Sequence, residues 1–410
     1  MPCTLGDAIH FGGLILLVAG GLSAALLTSK LSARLLIPSA ALFLVAAAVS
    51  SDLFPSLVVS IGTVERIATV ALIVILFDGG SSIGLRRFRV AAVPIASLGV
   101  LGTFATAGLL AAFGHWALGL GWITAGLLGA ALAPTDPAVM FSVLGEREIG
   151  GRTGTILEGE SGANDPVGIA LMLGMIQLAT HADATFWVVV RVFSEQMAIG
   201  LAIGIVGGLL EAGLLRRVGL PSAGLYSVRT LALAGVVYGA ATVAHGSGFL
   251  AVFVAGLIIG DVRAPFKEEI EVFQEGLAAI AEVVVFVALG LTIDLSAIGA
   301  GRWAEGLAVA AFLALVARPA ALAPLLAPVR LRHGERLFVM WGGLKGAVPI
   351  LLAAFALGAH VPHGARIYET VFVVVLASVV VQGGSISFVA RKLGVEMRRV
   401  PVTPRASRSA

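Results

Sequence analysis

Apolar runs follow one another along this chain, separated by short polar breaks, and most approach the roughly 17–25 residues that one helix needs to cross a bilayer core. The pattern predicts spans near 10–29, 35–50, 61–78, 90–113, 121–145, 157–179, 186–212, 227–245, 247–260, 273–291, 303–328, 335–358 and 367–390, about thirteen transmembrane helices in an all-α polytopic membrane protein. Two spans are interrupted. In the fifth, Pro134-Thr135-Asp136-Pro137 sets two prolines inside an apolar run, and each removes a backbone donor. In the twelfth, Gly342-Gly343-Leu344-Lys345-Gly346-Ala347-Val348-Pro349 does the same with glycines and a proline. Non-helical backbone at membrane depth survives only where protein buries it or where it lines a watery cavity. Interruptions in corresponding halves of a chain point to a transporter's binding site. The two broken helices lie an odd number of spans apart, so they cross in opposite senses, as an inverted repeat requires.

Composition agrees with the hydropathy. Of 410 residues, 58% are hydrophobic and 12% charged, against roughly 25% charged in soluble domains, which excludes a soluble enzyme. A net charge of +3 does not imply nucleic acid, because the basic residues lie in short clusters between apolar runs. They report topology instead. With the N-terminus outside, 21 of the 27 Lys and Arg fall in alternate loops and the tail on the cytoplasmic side, and only Arg66, Arg302 and Arg366 in the opposite loops. An odd number of spans with a cytoplasmic C-terminus follows. The first ten residues have no basic segment, so the first apolar run is expected to be retained, and a single cysteine, Cys3, permits no internal disulfide.

Charges within the spans carry the chemistry. Arg191, Arg318 and Lys345 stand there with Asp78, Asp136, Glu160, Asp165 and Glu282, and each is costly unless paired or hydrated. Arg191 is near a helix end and can extend to the interface. Glu160, Ser161, Asn164 and Asp165 stand at i, i+1, i+4 and i+5 of the sixth span, on one helix face that can meet Thr135-Asp136. Converging oxygens suit a hard monovalent cation, and carboxylates can take a proton instead. Asp78 and Arg318 are expected to form a second intramembrane ion pair. Glu282 suits either a cation path or a hydrogen bond within its own helix group. His360-x-x-His363 has a metal-like spacing but no acidic cluster near it, and no cofactor or resident metal is indicated.

TDP at 135–137, ESGANDP at 160–166, LFDGG at 76–80 and GLKGAVP at 343–349, in this order over nearly the whole chain, resemble the monovalent cation:proton antiporters of the NhaP and sodium/proton-exchanger branch, with the potassium/proton members especially similar. The resemblance implies an NhaA-like antiporter fold within residues 1–390. Core helices at about 90–179 and 303–390 would move against dimerisation-panel helices at about 10–78 and 186–291, and residues 391–410 would form a short basic cytoplasmic tail that can touch anionic lipid. It implies a plasma-membrane homodimer exchanging Na+ or K+, with Li+ as a further candidate, for H+. Asp165 would alternate between proton and cation. Asp136, Ser161 and the Thr135 carbonyl would help coordinate the ion, and Asn164 replaces the second aspartate of electrogenic relatives, which implies electroneutral one-for-one exchange. Glu160 would pair with Lys345, which stands where the family motif has arginine. Two other readings stay open at this point. A cation channel would need a carbonyl-ring filter, and no TVGYG-like sequence is present; a sodium-coupled organic anion symporter on a similar fold would not need proton movement.

Overall fold

The computed structural model describes residue 23 and residues 39–54, 59–136, 139–140, 144, 147–181 and 183–399. The first anticipated span, 10–29, as well as Cys3 and Pro137, lie outside them. The described helices are α1 (Ser39–Leu53), α2 (Ile61–Val90), α3 (Ala92–Leu118), α4 (Trp122–Leu132), α5 (Gly151–Thr180), α6 (Phe186–Arg217), α7 (Ala223–Val243), α8 (Gly248–Gly260), α9 (Lys267–Gly290), α10 (Ala300–Leu326), α11 (His333–Trp341), α12 (Ala347–Gly358) and α13 (Gly364–Lys392). They overlie the second to thirteenth anticipated spans, including the two short ones. Of these, α2, α3, α6, α9, α10 and α13 are long and apolar enough to cross a membrane by themselves. The fifth and twelfth spans are broken, as anticipated: α4 stops at Leu132, and α11 and α12 are separated by Gly342–Gly346.

Two groups of helices emerge from the packing. In one, α8 lies against α2, α6 and α7, and α9 packs on α1 and α2. In the other, α4 packs on α3 and α5, α13 on α10 and α12, and α12 on α4. Glycines let α2 and α8 touch backbone to backbone: a Cβ on Gly256 would stand 2.5 Å from the Phe77 carbonyl oxygen. Three helices widen locally into π-turns, at Ser97–Gly102 in α3, Leu313–Ala317 in α10 and Ser378–Gly383 in α13. Such turns recur at functional sites because they re-aim the next side chains. The second ends immediately before Arg318, and the third contains Ser378 and Gln382.

The hydropathy pattern gave no sign of a short antiparallel ladder that pairs Arg147–Ile149 with Met397–Arg399. It ties the segment after α13 to the approach to α5, and the Gly150 amide extends it by donating to the Glu396 carbonyl at 2.9 Å.

Candidate ion-binding site

Where backbone leaves the helical path inside apolar protein, each of its polar groups needs a partner, and here the two breaks supply partners to each other. The Asp136 amide donates to the Leu344 carbonyl at 2.8 Å. At the first break, the Thr135 amide donates to Asn164 Oδ1 at 3.3 Å, the Thr135 carbonyl accepts from Ser161 Oγ, and Asn164 Nδ2 donates to Thr135 Oγ1 at 2.8 Å. At the second, the Lys345 amide donates to Ser378 Oγ at 3.0 Å, Ser378 donates to Gln382 Oε1 at 2.6 Å, and Gln382 Nε2 donates to the Trp341 carbonyl at 3.2 Å. A glycine makes the crossing possible, since a Cβ on Gly346 would overlap the Asp136 carboxylate.

The C-terminus of a helix carries partial negative charge and unpaired carbonyls. Two such ends, those of α4 and α11, are buried here, and each meets a cation. Lys345 Nζ donates to the Ala133 and Pro134 carbonyls at 3.0 and 2.7 Å. Arg318 donates through Nε to the Met340 carbonyl at 3.0 Å and through Nη2 to that of Val339 at 3.2 Å.

The contact partners of these charges differ from those anticipated. Glu160 makes its contact ion pair with Arg318, Nη2 standing 2.9 Å from Oε1 and 3.1 Å from Oε2, and is a charged neighbour of Lys345 without an ion-pair contact to it. Both side chains are buried. Lys345 spends its ammonium on the end of α4 instead. Asp78 does not meet Arg318: it lies on α2, where its charged neighbours are Glu271 and Glu275 of α9. The reason is geometric, since Arg318, which directly follows a π-turn, is held between Glu160 of α5 and the Met340 and Val339 carbonyls at the end of α11.

The polar face of α5 divides its work. Glu160 holds Arg318, Ser161 and Asn164 clamp the Thr135 peptide, and Asp165 is left. Asp165 is 6% exposed, and its Oδ1 is buried with no hydrogen-bond partner among the described residues. Asp136 and Lys345 are the charged groups that act on it. Pro166, inside α5, withdraws the donor that the Gly162 carbonyl would otherwise accept from. Glu282 of α9 has Asp136 as its charged neighbour, which places it near the first break. Arg191 lies at the exposed surface, 3.8 Å from Glu195. His360 and His363 adopt left-handed backbone in the turn before α13, and among the described residues no three His, Cys, Asp or Glu gather to hold a metal. Ser378 and Gln382 went unnoticed in the sequence; their signal was a serine and a glutamine four residues apart in the otherwise apolar run VVVLASVVVQ.

Two crossing broken helices around a buried acid give the chain an antiporter-type fold. The fold is shared with the solved structure of the sodium proton antiporter MjNhaP1 from Methanocaldococcus jannaschii, with a TM-score of 0.79 at 22% identity over 96% of this chain and 100% of that one. The profile of the sodium/hydrogen exchanger transmembrane region matches residues 21–392, and the chain belongs to that family. Among its relatives are the K(+)/H(+) antiporter NhaP of Alkalimonas amylolytica, 39% identical over 81% of this chain and 58% of that protein, and the K(+)/H(+) antiporter NhaP2 of Shewanella sp. strain ANA-3, 32% identical over 97% and 70%. A more distant relative is the Na(+)/H(+) antiporter NhaH of Halobacillus aidingensis, 28% identical over 73% of this chain and 76% of that protein. The chain thus spans little more than half the length of the first of these.

Proposed function

We propose that the protein is a secondary antiporter that exchanges a monovalent cation, K+ or Na+, for protons across a cell membrane, one for one and without net charge movement. The observation that carries this reading is Asp165: a buried carboxylate with an uncommitted oxygen, beside backbone that has left the helical path. A carboxylate withdrawn from water favours neutralisation, by a bound proton or by a cation coordinated with neighbouring oxygens. Asp136 and the Thr135 carbonyl supply those oxygens, and Ser161 can turn its hydroxyl oxygen toward the ion when it releases Thr135. The loaded site crosses in either form, whereas the empty, ionised site crosses poorly, and this couples the two fluxes. The helix group α3–α5 with α10–α13 would move as the core against α1, α2 and α6–α9, which would form the panel and the contact of a homodimer. The N-terminus would lie outside and the C-terminus in the cytoplasm, as the basic loops suggest.

The relatives' names support cation:proton exchange over the channel and symporter readings. In liposomes containing a pH-sensitive dye, addition of K+ or Na+ should drive proton efflux through the wild-type protein. Asp165→Asn keeps size and hydrogen bonding but removes the titratable charge, so it should fold, melt near the wild-type temperature and give no cation-driven flux at any pH. A well-folded Asp165→Asn protein that exchanges at the wild-type rate would overturn the assignment.

A further inference from the structure

The described residues contain a cavity of about 520 Å³ that opens between the start of α3 and the end of α10. Its walls are largely apolar, with Val93, Pro94 and Ser97 from α3 and Pro324, Leu325 and Pro328 from α10 and the turn after it. At its rim stand Arg152, in the first turn of α5, and Arg330. Both are exposed, and neither side chain has a hydrogen-bond or ion-pair partner among the described residues. The proline rings contribute no backbone donor, so the cavity presents an apolar wall beneath two cationic forks. Arg152 and Arg330 belong to the basic loops that the charge distribution assigns to the cytoplasmic side, together with Arg86, Arg87 and Arg89 just before α3.

We infer that this cavity is a binding site for one anionic phospholipid of the cytoplasmic leaflet, with the phosphate held between Arg152 and Arg330 and an acyl chain laid against Val93, Pro324 and Leu325. The chemistry favours a lipid over a soluble anion on two counts. A guanidinium matches a phosphate bidentately, and here both forks border an apolar wall that a free phosphate would leave uncovered. Basic pockets between transmembrane helices on the cytoplasmic side take anionic headgroups, and the two arginines belong to the loops that the charge distribution assigns to that side. Val93 is 81% exposed. The cavity bridges α3 and α10, so a lipid seated there would fasten these two helices together.

The test uses the full-length protein purified in a neutral detergent and supplied with phosphatidylglycerol or with phosphatidylcholine. The readouts are retained lipid, measured by native mass spectrometry, and melting temperature. Wild-type protein should retain phosphatidylglycerol in preference to phosphatidylcholine and melt higher with it. Arg152→Gln with Arg330→Gln should weaken that retention about tenfold or more and abolish the shift in melting. Arg216→Gln with Arg217→Gln, which removes the same charge from the exposed end of α6, should change neither. Equal retention by the first double variant would overturn the site. An equal melting shift from inorganic phosphate alone would overturn its assignment to a lipid.

Discussion

Arg318 makes contacts to three carbonyl or carboxylate partners, Glu160, Met340 and Val339, and no water-filled space is needed to explain its burial. Removing one member of a buried ion pair strands the other, at a cost of about 3–5 kcal/mol. Arg318→Ala should therefore lower the melting temperature strongly, and so should Glu160→Ala. Glu160→Gln with Arg318→Gln should lose less than the sum of the two single changes, because neither amide is left facing a buried charge. Lys345 behaves differently. Its ammonium is held by the Ala133 and Pro134 carbonyls, so Lys345→Ala should cost on the order of 1–3 kcal/mol for each acceptor left unpaired. Combining it with Glu160→Gln should lose only slightly less than the sum, because the two charges act on each other without touching, and a recovery as large as that of the Glu160 and Arg318 pair would show that they are direct partners. Asn164 uses its carbonyl as acceptor and its amide as donor on the same Thr135. Asn164→Asp loses the donor as it gains a charge, so it should loosen the first break and shift the pH dependence of exchange before it abolishes it.

At the scale of elements, the breaks in the two helices are one construction. Each half-helix end points its carbonyls into the protein, and each is neutralised by a side chain from outside its own half-helix. That arrangement leaves room for nothing at Gly346, where Asp136 packs, or at Gly343, where the Arg318 guanidinium packs. Gly346→Ala should misplace Asp136 and abolish cation-driven proton flux, with a stability cost of about 1–3 kcal/mol from overpacking. Gly343→Ala should do comparable harm through Arg318. Gly235→Ala in α7, where an added methyl meets nothing within 4 Å, should be neutral or stabilising, since alanine is the better helix former. Dye-reported flux and melting temperature separate the three outcomes. If Gly346→Ala exchanged normally, the close crossing of the breaks would not be needed for function.

For the whole molecule, the distinction that matters is whether transport moves net charge. With asparagine at 164, the described site offers one uncommitted carboxylate oxygen, on Asp165, and an exchange of one proton for one monovalent cation at that position leaves the charge crossing the membrane unchanged. A net movement of one charge would couple to the membrane potential by roughly 2.3 kcal/mol per 100 mV. Exchange rates in liposomes held at zero potential and at about −100 mV should therefore be the same. A rate that follows the potential would show that a second proton, carried elsewhere, accompanies each cycle.

What the sequence determined by itself was whatever depends on local order along the chain. Hydropathy placed the spans because each helix in a bilayer must satisfy its own backbone. Pro134 and the glycines of residues 342–346 marked the breaks because they remove donors or helical preference wherever they occur. The helical repeat put Glu160, Ser161, Asn164 and Asp165 on one face. The partner of each charge was decided only in three dimensions. Glu160 and Arg318 lie 158 residues apart and Lys345 and Ala133 lie 212 apart, and nothing local distinguishes Lys345 from Arg318 as the cation for Glu160. The choice follows from where the buried half-helix ends fall once α4 crosses the α11–α12 break: the end of α4 lies at the Lys345 ammonium, the end of α11 at Arg318, and Glu160 within reach of Arg318. The same crossing recruited Ser378 and Gln382, since irregular backbone needs hydrogen-bond partners from whichever helix lies alongside, and that helix is chosen by packing.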